Sequence, residues 1–251
     1  MSAPGIGRRM LAEFVGTAML VAVVVGSGIA AQRLSPDDAG LQLLQNSTAT
    51  VFGLGVLILV FGPVSGAHFN PVVSLADWLL GRRAGAGLPL PQVGAYALAQ
   101  TVGAVLGAAL ANTMFELPAF QVADTQRATS GRLLGEVVAT AGLVVVIFAL
   151  ARTGRAALSA GAVAAYIGAA YWFTSSTSFA NPAVTVGRMF SDTFAGIAPG
   201  AVPAFVAAQL VGGLAGLALI AVLYPDAAAG ADAAVVAHPE AHFTAGVTDD
   251  R

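Results

Sequence analysis

Six apolar stretches, each close to the roughly 20 residues that a bilayer-spanning helix needs, are separated by short polar connections. They run from Met10 to Ala31, Leu41 to Gly62, Gln92 to Asn112, Leu133 to Ala151, Ala156 to Phe173 and Ala201 to Tyr224. Two further apolar runs, Asn70 to about Leu80 and Asn181 to about Phe190, are too short to span, and each opens on an Asn-Pro pair (Asn70-Pro71 and Asn181-Pro182). Asn is among the best N-cap residues and Pro is favoured at the first helical position, so each pair starts a helix. The pattern therefore predicts an all-α chain of six spanning helices and two half-helices. Irregular backbone at membrane depth survives only when it is buried in protein or lines a watery cavity. The segments ahead of the two Asn residues, "GPVSGAHF" and "TSSTSFA", are thus expected to line a path.

The same elements occur twice. "LAEFVGTAMLV" around Glu13 matches "LGEVVATAGLV" around Glu136, "HFNPVVSL" matches "FANPAVTV", and "LAQTVGAVLGAAL" around Gln100 matches "AAQLVGGLAGLAL" around Gln209. Each half, about 8–125 and about 130–225, holds three spans, so the halves enter the membrane from opposite sides and form an inverted repeat, the architecture of channels and transporters. The half-helices then meet near the midplane. Their positive N-terminal ends converge there and repel cations and protons, while the two Asn amides can donate to a passing solute oxygen. Gly103 and Gly107, and Gly212 and Gly216, form small-xxx-small pairs, expected to let helices approach closely between the halves.

Composition agrees with a membrane protein: 57% of residues are hydrophobic and 10% charged, against about 25% charged in soluble domains. A single transmembrane domain over 1–225 leaves no room for a soluble one, and the Ala-rich tail 226–251 lacks periodicity and is expected to be disordered or loosely attached. There is no Cys, which excludes disulfides and thiolate metal sites. All the basic residues are Arg, scattered in ones and twos rather than clustered, a pattern that argues against nucleic-acid binding. The first span follows Arg8 and Arg9 in the manner of a signal peptide, but it contains Glu13 and has a twin in mid-chain. Arg8, Arg9, Arg82, Arg83, Arg152 and Arg155 fall on one side and Arg33, Arg127 and Arg132 on the other, which places both termini in the cytoplasm.

"SGAHFNPVVSL" with "SFANPAVTV", together with the repeated Glu and Gln, resembles the aquaporin or major intrinsic protein family over nearly the whole chain, Arg9 to Tyr224. The resemblance implies a right-handed bundle of six tilted helices and two half-helices, with one pore per subunit and assembly as a homotetramer in the bilayer. It implies that Asn70 and Asn181 are pore-centre donors within Asn70-Pro71-Val72 and Asn181-Pro182-Ala183. It also makes Glu13 and Glu136 buried supports of the pore-lining loops, with no cofactor, no metal and no enzymatic activity.

The departures from the family pattern bear on selectivity. The Arg that commonly follows the second motif is here Val184, and counting from the Asn residues assigns the rest of the filter to Thr50, Ala169 and Ser178. All four are small or medium and uncharged, so the filter is expected to be wider and less polar than in water-selective members and to pass larger solutes. Val72 stands where the first motif usually has Ala and is expected to disturb packing where the half-helices meet. Arg188, one turn beyond Val184 on the same helix face, either reaches over the outer vestibule or pairs with Asp192. His68 is expected to hydrogen-bond locally at the inner mouth. "TSSTSFANPAVTVGRMFSDTFAGI" resembles a bacterial branch of aquaglyceroporins associated with arsenic resistance, in which Val likewise replaces the filter Arg. The implied function is a passive channel in the bacterial inner membrane for glycerol, arsenous acid and water. The alternatives are a water-selective pore and an ion-coupled transporter, the latter with Glu13 and Glu136 as its candidate titratable groups.

Overall fold

A computed structural model of the chain describes residues 4–82 and 85–225; Arg83 and the tail from Asp226 onward, both used in the sequence reading, lie outside the described residues. The long helices are α1 (Ile6–Leu34), α2 (Ala39–Ser65), α4 (Leu90–Met114), α5 (Ser130–Arg152), α6 (Ser159–Phe173) and α8 (Val202–Leu223). The short ones are α3 (Pro71–Gly81) and α7 (Pro182–Arg188). A 3-10 turn precedes α6 at Ala156–Leu158 and another precedes α8 at Pro199–Ala201, and with these turns six elements among the described residues are long and apolar enough to cross a membrane.

The short helices begin where their Asn-Pro pairs predict. Asn70 has extended backbone and its Oδ1 accepts the Val72 N–H at 3.0 Å. Asn181 does the same, accepting from Ala183 N at 3.0 Å and Val184 N at 3.2 Å. Such caps satisfy helix-end donors that have no intrahelical partner.

Within each half the first and third long helices pack most closely, α1 on α4 and α5 on α8. Here the glycine pairs find their use. A side chain on Gly103 or Gly107 would run into the backbone carbonyls of Phe14 and Ala18 on α1, and one on Gly212 or Gly216 into those of Val137 and Ala141 on α5. This corrects the sequence expectation that these glycines lie between the halves, because a small-xxx-small stripe reports a close approach without naming the partner. The halves are joined instead by α2 on α6 and by the short helices crossing over, α7 against α4 and α3 against α8.

Val72 is another correction. Its side chain is buried away from the central cavity and lies against Gly213 of α8, where an added Cβ would come within 2.5 Å of Val72 Cγ1. The larger residue in the first motif is matched by a missing one on the facing helix. Gly213→Ala is therefore expected to destabilise the protein by about 1–3 kcal/mol through overpacking, and Val72→Ala to restore most of that loss in the double variant. Thermal melts of the four proteins in detergent measure the coupling.

Candidate functional site

The segments that enter the bundle from its two ends, 66–70 and 177–181, have the same unusual backbone. Gly66, Ala67 and Phe69 have φ of 85°, 49° and 48°, and their repeat mates Thr177, Ser178 and Ala180 have 61°, 49° and 48°. Left-handed conformations at so many non-glycine residues are strained and persist only where the surroundings hold them.

Two carboxylates do the holding. Glu13, fully buried on α1, accepts from Ser65 Oγ (2.6 Å) and His68 N (3.0 Å) through Oε1, and from Phe69 N (2.7 Å) and Gln100 Nε2 (2.7 Å) through Oε2. Glu136 on α5 accepts from Phe179 N and Ala180 N, both at 2.8 Å, and from Gln209 Nε2 at 2.6 Å. Gln100 and Gln209 extend the brace to the hydroxyls of Ser74 and Thr185, which in turn donate to the carbonyls of Asn70 and Asn181. The two glutamines were visible in the sequence as part of the repeat. Their connection to the loops was not.

The braced loops meet in the middle of the bundle. Asn70 Nδ2 donates to the Ala180 carbonyl and Asn181 Nδ2 to the Phe69 carbonyl, each at 2.7 Å. A primary amide has two N–H donors, so each Asn fixes the opposite loop with one and keeps the second. Both residues line a central cavity, together with Thr50, Ser178, Val184, Arg188 and His68 from the sequence assignment. Most of the remaining wall is aliphatic, including Leu20, Val24, Leu143 and Ile147. His68 shares a hydrogen bond with Ser74 through Nδ1 (3.1 Å) and meets the ring of Tyr96 edge-on at 5.5 Å.

Ala169 is not in this wall. It is exposed on the outer face of α6, the face that also carries Ala165 and Trp172, whereas the cavity is lined from α6 by Val163, Ile167 and Tyr171, spaced one helical turn apart. Counting back from Asn181 across a non-helical loop put the position two residues, and about 200° of helix rotation, out of phase. The α6 residue that faces Thr50 in the wall is Tyr171, whose hydroxyl lies 3.2 Å from Thr50 Oγ1. The wall therefore includes an aromatic that the sequence reading did not give it.

Arg188 also differs from one of the two readings offered for it. It does not pair with Asp192, whose carboxylate accepts from Asp124 N at 3.1 Å. The guanidinium is buried, its Nε donates to the Ala195 carbonyl at 2.5 Å, and Cζ sits 3.4 Å from the centroid of the Phe179 ring. On the same ring, at 5.3 Å, lies Arg127, anchored to the carbonyls of Gly196 (2.6 Å) and Phe194 (2.9 Å). Burial pushes the Arg127 guanidinium down to about 10, which leaves it charged at neutral pH. Phe179 had no assigned role in the sequence, yet it occupies the position equivalent to His68 and carries two cations.

A sequence model of the major intrinsic proteins matches residues 1–178. The chain belongs to the major intrinsic protein family. It is 50% identical over 213 residues to Aquaglyceroporin AqpS of Rhizobium meliloti, an alignment covering 85% of this chain and 88% of the relative. It is 32% identical over 229 residues to the glycerol uptake facilitator protein of Pseudomonas aeruginosa, covering 78% of each. In fold it is similar to the X-ray structure of the aquaglyceroporin from Plasmodium falciparum, with a TM-score of 0.62 at 19% identity over 89% of this chain and 99% of that one. As a major intrinsic protein, the chain is helical among its described residues, with six helices long and apolar enough to cross a membrane and two short helices that begin at its Asn-Pro pairs.

Proposed function

We propose that the chain is a passive channel for glycerol and other small neutral solutes, arsenous acid among them, and for water. The observation that carries this reading is the meeting of two Asn-capped half-helices at one cavity, with an amide N–H of each Asn left over beside aliphatic wall. A small solute with hydroxyl groups on one side and carbon on the other matches such a lining. The names of the two bacterial relatives, an aquaglyceroporin and a glycerol uptake facilitator, point the same way. Arsenous acid is neutral at pH 7 and carries hydroxyls comparable to those of glycerol.

In this reading Asn70 and Asn181 are the central donors, and Thr50, Tyr171, Ser178 and Val184 form the filter. His68 lies at the inner mouth, and Glu13 and Glu136 are supports. Neither carboxylate lines the cavity and each has every oxygen engaged by donors, which argues against the ion-coupled transporter and against enzymatic acid-base chemistry. The channel domain is 1–225 in a bacterial inner membrane. With the spans alternating in direction, the Arg-bearing ends of α1, α3 and α5 fall on the same side of the membrane, which supports cytoplasmic termini. Assembly is as a homotetramer.

The test is stopped-flow light scattering of proteoliposomes challenged with sucrose, glycerol or arsenous acid. Vesicles with the protein are expected to shrink and then reswell as glycerol and arsenous acid enter. Shrinkage without faster reswelling would make the protein a water-selective pore.

A further inference from the structure

Arg188 is a cation 2% exposed inside the bundle, and no carboxylate among the described residues is in ion-pair contact with it: Asp192 serves Asp124, and Glu136, which attracts the guanidinium only from a distance, serves the loop amides and Gln209. A buried charge without a counter-ion is costly, so its retention calls for a reason. Its Nε is used by Ala195. Its two Nη groups have no hydrogen-bond partner among the described residues, and neither is among the polar atoms sealed from solvent without one. Because Arg188 lines the central cavity, those N–H groups are left to whatever the cavity holds. The stack on Phe179 and the Ala195 carbonyl fix the guanidinium in place before any solute arrives.

Two acceptors share that wall. Ser178, 4% exposed and with φ of 49°, has its Oγ buried and without a partner. The Thr50 hydroxyl gives its hydrogen to the Asn46 carbonyl at 2.9 Å, so the Tyr171 hydroxyl must be the donor in their 3.2 Å contact. That leaves a lone pair on the Tyr171 oxygen. Val184, one turn below Arg188, and Val24 supply apolar surface beside these groups.

We propose that Arg188, Ser178 and Tyr171 form a binding subsite for neutral hydroxyl-bearing solutes, one helical turn beyond Val184 and distinct from the Asn70–Asn181 centre. The Nη groups donate to a solute oxygen while Ser178 Oγ and the Tyr171 oxygen accept from solute hydroxyls, and the carbon side of the solute lies on Val184 and Val24. Hydrogen bonds lost to water at the pore entrance are replaced there, which lowers the entry barrier for a polyol more than for water. This inference rests on the channel reading above.

The experiment is the ratio of glycerol to water permeability per reconstituted protein for the native chain, Arg188→Leu, Arg188→Lys and Ser178→Ala. Arg188→Leu is expected to lower the ratio about tenfold, the scale of one charge-assisted hydrogen bond, at nearly constant water permeability. Arg188→Lys is expected to recover part of it, and Ser178→Ala, which removes a hydroxyl and changes little volume, to lower it about threefold. A plug or a purely electrostatic barrier at Arg188 would raise glycerol and water permeability together, or leave the ratio fixed, and either result overturns the proposal. Should Arg188→Leu fail to assemble, an unchanged ratio in Ser178→Ala overturns it alone. Absence of glycerol flux in the native protein would instead remove the channel reading beneath it, so the two failures are distinguishable.

Discussion

Val184→Arg is expected to cut glycerol and arsenous acid permeability by at least about tenfold while water permeability falls by no more than about threefold, because pore diameter and lining donors set what passes. Val184 is 5% exposed, three residues into α7 and in the cavity wall between Asn181 and Arg188. Any longer side chain there projects into the path. An arginine would also stand one turn from Arg188, and like charges at that spacing repel, so the new guanidinium should be driven further into the lumen instead of folding back along the helix. Val184→Leu adds bulk without charge and is expected to fall between the two. Stopped-flow traces on matched proteoliposomes give both permeabilities. Equal losses for water and glycerol would show that position 184 is not where solute size is read.

The second large effect is expected at Glu13. Glu13→Ala leaves Ser65 Oγ, the amides of His68 and Phe69, and Gln100 Nε2 without their acceptor. Each buried group so orphaned costs about 1–3 kcal/mol, and the sum is comparable with the ~5–15 kcal/mol that holds a typical domain folded. The strained residues Ala67 and Phe69 lose their tether at the same time, and the Phe69 carbonyl is the acceptor that fixes Asn181. The variant is therefore expected to lose glycerol flux and to melt well below the native protein in detergent. Glu13→Gln keeps one acceptor oxygen and should retain part of both. A Glu13→Gln protein of native stability that has lost only a proton-driven flux would instead mark Glu13 as a proton carrier.

The sequence disclosed the frame and much of the centre. Hydropathy alone places six spans, because a bilayer demands long uninterrupted apolar helices, and the Asn-Pro pairs place α3 and α7 to within a residue or two, because capping is a local interaction. What it concealed depends on contacts between distant segments or on helix phase. Tyr171 was missed in favour of Ala169 because the rotation of α6 relative to α7 passes through loop 174–181, whose left-handed Thr177, Ser178 and Ala180 carry no glycine to announce them. The accommodation of Val72 by Gly213 joins residues of different halves and has no local signature. The seat of Arg188 on Phe179, backed by Arg127, draws on α7, the loop before it and the loop before α5.

The measurement that bears most directly on the account is glycerol flux into proteoliposomes of the native protein as a function of glycerol concentration, with and without imposed proton and sodium gradients. A passive channel built on this cavity predicts flux that rises linearly with the glycerol gradient and is indifferent to either ion gradient. Saturating flux driven by an ion gradient would contradict the account and make the inverted repeat that of a coupled transporter.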